Sequence, residues 1–127
     1  MAAKIYHMHP LAAGPVATWP EHFARIRAMG FDHVCLAPPF APDPGGDIYV
    51  TADHEALHPA LEWDASADAG IAHIAALAGQ QDLRLLLDLV LYQVAADAAV
   101  RRREPDWFST GFCGGPPLPR PGYRPRL

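Results

Sequence analysis

Three short runs rich in apolar residues, at 4–8, 33–37 and 83–91, are separated by segments with helical periodicity, and this alternation is what most narrows the fold. Strands joined by helical crossovers are parallel, and runs without apolar–polar alternation suit a sheet covered on both faces. The first crossover follows a Gly14-Pro15 break, and in Thr18-Trp19-Pro20-Glu21 the Thr and Glu have the spacing of a capping box. That spacing predicts a helix carrying Phe23, Ile26 and Met29 on one face and stopped by Gly30. The second predicted helix, 66–79, places Ile71, Ile74, Ala75 and Ala78 together. Between Pro38-Pro39 and about residue 65 lies a stretch rich in Pro, Gly and Asp, read as one long loop of functional length. The order is β-α-β-α-β, and the fold class is α/β.

The third run, Arg84-Leu85-Leu86-Leu87-Asp88-Leu89-Val90-Leu91, holds one acid among apolar residues. An unpaired carboxylate is costly to bury inside a strand, so Asp88 is expected at the strand's carboxyl end, where a parallel sheet opens onto a cleft. The alternative is that Asp88 caps a following helix by accepting backbone N–H groups at about 94–97.

Composition excludes several classes. The chain has 127 residues, half of them apolar, enough for one domain with a core. The stretch from Phe112 onward holds Pro116, Pro117, Pro119, Pro121 and Pro125 beside Arg120, Arg124 and Arg126, and cannot build a core. A net charge of −4, with one short basic run at Arg101-Arg102-Arg103 followed by Glu104, argues against nucleic acid as a partner. Cys35 and Cys113 give neither a disulfide framework nor metal spacing, so a reducing compartment is expected. With no signal-peptide pattern and no run of about 18 apolar residues, the chain reads as cytoplasmic and without a membrane partner.

Four motifs carry a resemblance. Ile5-Tyr6 resembles the first strand, and Met29 to Pro38 the helix-to-second-strand passage, of catalytic barrels in the α-amylase superfamily, glycoside hydrolase family 13. Tyr49-Val50-Thr51-Ala52-Asp53-His54 resembles the next loop of that family, and Arg84 to Leu91 its third-strand motif. The resemblance covers roughly residues 4 to 110. It implies a partial (β/α)8 TIM barrel over 1–110, with strands one to three, followed by an irregular tail at 111–127. It further implies an α-glucan or maltooligosaccharide substrate, a sugar-stacking role for Tyr49 and a sugar-binding role for Asp88. His7, near the end of the first strand, would line the same pocket. No cofactor is implied.

The departures from the family pattern are informative. Where the family has Asn-His after the third strand, this chain has Tyr92-Gln93. Replacement of that pair resembles the branch of maltosyltransferases that use maltose 1-phosphate, as does Glu104-Pro105-Asp106-Trp107-Phe108-Ser109-Thr110. Tyr92 and Gln93 therefore join the candidate substrate contacts, although both residues would also suit a helix N-terminus. A complete barrel takes about 250 residues, and the family's nucleophile, acid-base and stabilising carboxylates follow its fourth, fifth and seventh strands, which have no counterpart here. Retaining hydrolysis needs two carboxyl groups about 5–5.5 Å apart; the resemblance places one, so no catalytic residue is assigned and the chain alone is expected to be inactive.

Other readings compete. Tyr49 could simply cover surface with its ring. His7 with His9, and His54 with His58, have spacings that metal ligands use, but the second pair lacks a helical pattern, so no metal is expected. A nucleotide-binding βαβ unit would need phosphate-binding glycines that Gly45-Gly46 do not provide. A non-catalytic fragment or interaction module stands as the main alternative, because three strands of a barrel leave open edges through which the chain would self-associate.

Overall fold

The computed structural model describes residues 2–108 and the backbone of residues 123–125. In chain order its elements are β1 (Ile5–Met8), α1 (Pro10–Ala13), α2 (Trp19–Ala28), β2 (His33–Leu36), β3 (Phe40–Pro42), β4 (Thr51–Leu57), α3 (Ala67–Gln80), β5 (Arg84–Leu87), β6 (Gln93–Ala95), α4 (Ala99–Arg103) and β7 (Tyr123–Pro125). The three apolar runs are β1, β2 and β5, and they form one parallel sheet in the order β1-β2-β5. Its rungs run from Ile5–His33–Arg84 to Met8–Leu36–Leu87. The α/β fold with three parallel strands joined through helices is thus as expected.

Strand alternation divides the sheet into two faces. Tyr6, Met8, Val34, Leu36, Leu85 and Leu87 pack into the core with the helices, and Val34 and Leu36 are fully buried. The opposite face carries Ile5, His7, Cys35 and Leu86; there Ile5 is 48% and Leu86 40% exposed. The expectation of a sheet covered on both faces therefore holds for one face only among the described residues.

Helix α2 buries Trp19, Phe23 and Ile26, an i, i+4, i+7 set. Trp19 meets Phe23 edge-to-face at 6.1 Å, and its Nε1 donates to the Gly14 carbonyl at 2.9 Å. Met29, expected on that face, is exposed because it is the C-cap. The stop at Gly30 is as read: its φ is +96°, its N–H donates to Arg27 O, and the Phe31 N–H donates to Ile26 O. The capping box is not formed. A 3₁₀ turn, Val16–Thr18, runs straight into α2, so Thr18 already has helical backbone and its Oγ1 donates to Pro15 O at 2.8 Å.

Helix α3 is capped by Ser66 Oγ, which accepts from the Ala69 N–H. It buries Ala67, Gly70, Ile74 and Ala78, whereas Ile71 is half-buried and Ala75 exposed. Gly70 is required by packing: a Cβ there would lie 2.5 Å from Leu57 Cδ1 and 2.9 Å from Trp63 Nε1.

Two elements correct the reading of the segments around the sheet. The supposed loop between Pro38 and residue 65 contains an antiparallel hairpin, β3–β4, whose pairs Phe40–Leu57, Ala41–Asp53 and Pro42–Thr51 shift register at each step. Pro42 has no N–H to donate, so a regular ladder cannot form there. Residues 123–125, within the tail read as irregular, form β7, antiparallel to β6. Cys113 lies outside the described residues. No helix among the described residues is long and apolar enough to cross a membrane.

Candidate functional site

The β1-β2-β5 ladder continues one residue beyond its last full rung. The Ala37 N–H donates to Met8 O at 3.0 Å, and the Asp88 N–H donates to Leu36 O at 2.9 Å. His9, Ala37 and Asp88 thus occupy the next rung, at the carboxyl ends of the strands, where parallel sheets and barrels place their ligand sites. By alternation these residues share the uncovered face with His7, Cys35 and Leu86. Asp88 is half-buried, and its carboxylate has no hydrogen-bond partner among the described residues. It is also the only acid on these three strands and the rung that follows them. A helix for Asp88 to cap at 94–97 does not exist, since Gln93–Ala95 is β6 and the next helix starts at Ala99.

Tyr49 sits on a loop ordered by two aspartates. Asp43 Oδ1 accepts from the Asp47 N–H, Asp47 Oδ1 accepts from the Tyr49 N–H at 2.9 Å, and the Asp43 N–H donates to Val50 O at 2.9 Å. Ile48 and Val50 on either side are buried, and Val50 packs on Ala95 and Ala98. Tyr49 itself is 38% exposed, so the tyrosine stands on a fixed base with an accessible ring.

Gln93 joins this base. It is buried, and its Nε2 donates to the Tyr49 carbonyl at 3.0 Å. The structure therefore brings Tyr49 and Gln93 together, with Gln93 as a support beneath the tyrosine, while neighbouring Tyr92 is 58% exposed. Asp88 shares a sheet face with His7. Among the described residues Tyr49 makes no side-chain hydrogen bond to Asp88 and no ring contact with Tyr92. Sequence reasoning missed Asp43 and Asp47 as loop builders; His9, weighed and set aside there as a metal ligand, is a neighbour on the Asp88 rung.

The remaining histidines have structural partners. His54 lies on β4 against the Phe40 ring, at a centroid distance of 5.3 Å, and burial pushes its pKa down against a smaller opposing effect of Asp53. His58 Nδ1 accepts from the Ala60 N–H at 3.0 Å; burial, then the nearby His9, pushes its pKa down. No group of three or more His, Cys, Asp or Glu among the described residues converges as metal ligands would. The arginines of the basic run are engaged locally: Arg101 and Arg102 donate to the carbonyls of Ala96 and Asp97, and Arg103 pairs with Glu55.

No protein-family profile matches the chain. An α-1,4-glucan:maltose-1-phosphate maltosyltransferase of Burkholderia pseudomallei (strain K96243) is 28% identical over 109 residues, which are 84% of this chain and 9% of that protein. Among solved structures, a noncanonic maltogenic α-amylase from Thermotoga neapolitana superposes with a TM-score of 0.72 at 19% identity, covering 90% of this chain and 29% of the other. An α-amylase from Lactobacillus plantarum gives 0.70 at 20% identity, covering 88% and 29%. The chain thus spans less than a third of the length of these relatives. In fold the chain is similar to a portion of these two α-amylase structures, and in sequence to a portion of the Burkholderia pseudomallei maltosyltransferase.

Proposed function

We propose that residues 1–110 are the strands-one-to-three portion of an α-glucan-active barrel, of the kind that carries out maltosyl transfer or α-1,4-glucan hydrolysis, and that this portion binds sugar without completing a reaction. The observation that carries this reading is the Asp88 carboxylate, half-buried and without a hydrogen-bond partner among the described residues, at the carboxyl end of β5. A carboxylate so placed accepts hydrogen bonds from sugar hydroxyls, and Tyr49 offers a ring on which a pyranose stacks. Gln93 holds the tyrosine's backbone, and His7 and Tyr92 border the site. One carboxylate cannot serve as both nucleophile and acid in a retaining mechanism. Incubation of the full chain with starch, or with maltose 1-phosphate and an acceptor glucan, should release no new reducing ends and no phosphate; turnover that tracks the purified chain would contradict the proposal.

A second reading, a non-catalytic interaction module, is favoured by the face at Ile5 and Leu86 and the edges of β1 and β5, which nothing covers or pairs among the described residues. Unpaired strand edges recruit further strands. On this reading the chain self-associates through an open edge. Sedimentation velocity over a range of concentrations tests it, with a monomer at all concentrations as the contrary result.

A further inference from the structure

A concavity of about 240 Å³ lies between β1, α1 and α2, along the edge of β1 that pairs with no strand among the described residues. Its polar lining is Tyr6, His7, His9, His22 and Arg25, with Met8 and Ile26 among its apolar walls. None of its lining residues is acidic, although the chain as a whole carries a net charge of −4.

The guanidinium is held in place by His22. His22 Nε2 lies 3.1 Å from the Ala13 carbonyl, and its Nδ1 lies 3.1 Å from Arg25 Nη2. A carbonyl only accepts and a guanidinium only donates, so in this arrangement His22 carries its proton on Nε2 and offers a bare Nδ1 to the arginine. One guanidinium N–H is thereby used to orient the group, and the others have no partner among the described residues. Glu21, one turn before Arg25 on α2, makes no ion pair with it. Across the concavity, His9 Nδ1 accepts from the Leu11 N–H at 3.2 Å, so neutral His9 presents Nε2–H as a second donor.

We propose that this concavity is a binding site for an oxyanion carried by a small molecule, a phosphate ester or a carboxylate, with Arg25 as the bidentate donor, His9 as a further donor and His22 as the residue that positions Arg25. The planar fork of arginine matches either group, and a cation without a carboxylate partner loses little by exchanging water for such an anion. The site rests on α1, α2 and the β1 edge; His7 and His9 also lie on the sheet face of Asp88, so the variants that separate it from sugar binding are those of Arg25 and His22 on α2.

The test is calorimetric titration of the full chain with inorganic phosphate, with acetate and with an acidic peptide, repeated on Arg25→Met, His22→Phe and His22→Gln. Saturable binding of phosphate or acetate is expected, and the tighter of the two identifies the group. Arg25→Met should weaken it roughly tenfold or more, the loss of a charge-assisted bidentate contact. His22→Phe should weaken it less, and His22→Gln should restore part of the loss by returning an acceptor to Arg25. Because Arg25 is exposed, its variant should keep the wild-type circular dichroism, so a loss of binding cannot be ascribed to unfolding. Equal affinity in Arg25→Met, no binding of either small anion, or binding of the acidic peptide alone would overturn the proposal.

Discussion

The side-chain amide of Gln93 donates to the backbone carbonyl of Tyr49 at 3.0 Å, joining two residues 44 positions apart. Through it, the loop that presents Tyr49 is tied to β6. A buried amide that loses its carbonyl partner, or a carbonyl that loses its donor, costs about 1–3 kcal/mol. Gln93→Ala should therefore lower stability by about that amount in urea unfolding, with the slope of the transition unchanged. Gln93→Glu should cost more, since it sets a carboxylate against the same carbonyl. Wild-type stability in Gln93→Ala would show that the bond is not formed in solution.

The glycines of α3 give opposite expectations. Gly79 has open space around its Cβ position, so Gly79→Ala removes a helix penalty and should stabilise by about 0.5–1 kcal/mol. At Gly70 the added methyl would meet Leu57 and Trp63 well inside contact distance, so Gly70→Ala should destabilise by about 1–3 kcal/mol. Thermal unfolding of the two variants beside the parent decides it; equal shifts would contradict the packing of α3 on β4.

Trp19 is expected to dominate the core. It is fully buried and also donates to the Gly14 carbonyl. Trp19→Ala should cost about 3–5 kcal/mol, and Trp19→Phe less, since it keeps most of the packing and gives up the hydrogen bond. Comparable losses from the two variants in urea unfolding would show that the hydrogen bond, not the packing, dominates.

Stability should fall on mild acidification. The pKa values of His54 and His58 are pushed down in the folded chain, chiefly by burial. The unfolded chain therefore takes up protons first, near the ordinary value of 6.5, while the folded chain resists them. Their contribution is fully present above that pH and is lost as the pH falls through 6.5 toward the folded values. Urea midpoints measured from neutral pH downward should drop across this window, and His54→Gln should flatten the drop; a midpoint that rises would contradict the burial of these rings.

Much of the fold was legible from local pattern alone. The three apolar runs are the three parallel strands, Gly30 ends α2, and Asp88 stands just past the end of β5, because an acid closing an apolar run has few places to go. The β3–β4 hairpin was not legible, since Pro, Gly and Asp conceal its alternation and its register shifts at every pair. Nor was the capping box reliable, because nothing in Thr18-Trp19-Pro20-Glu21 reveals that a 3₁₀ turn precedes it. The support that Gln93 gives Tyr49 depends on how distant segments pack, and so was not legible either.

The central claim, that Asp88 marks a sugar-binding floor at the carboxyl end of the sheet, is tested most directly by titrating the full chain with a maltooligosaccharide while following its amide spectrum. The account expects saturable shifts at residues around Asp88 and Tyr49, and an affinity roughly tenfold lower in Asp88→Asn, the loss of one charged hydrogen-bond acceptor. No saturable shifts, or the same affinity with and without the Asp88 carboxylate, would contradict it.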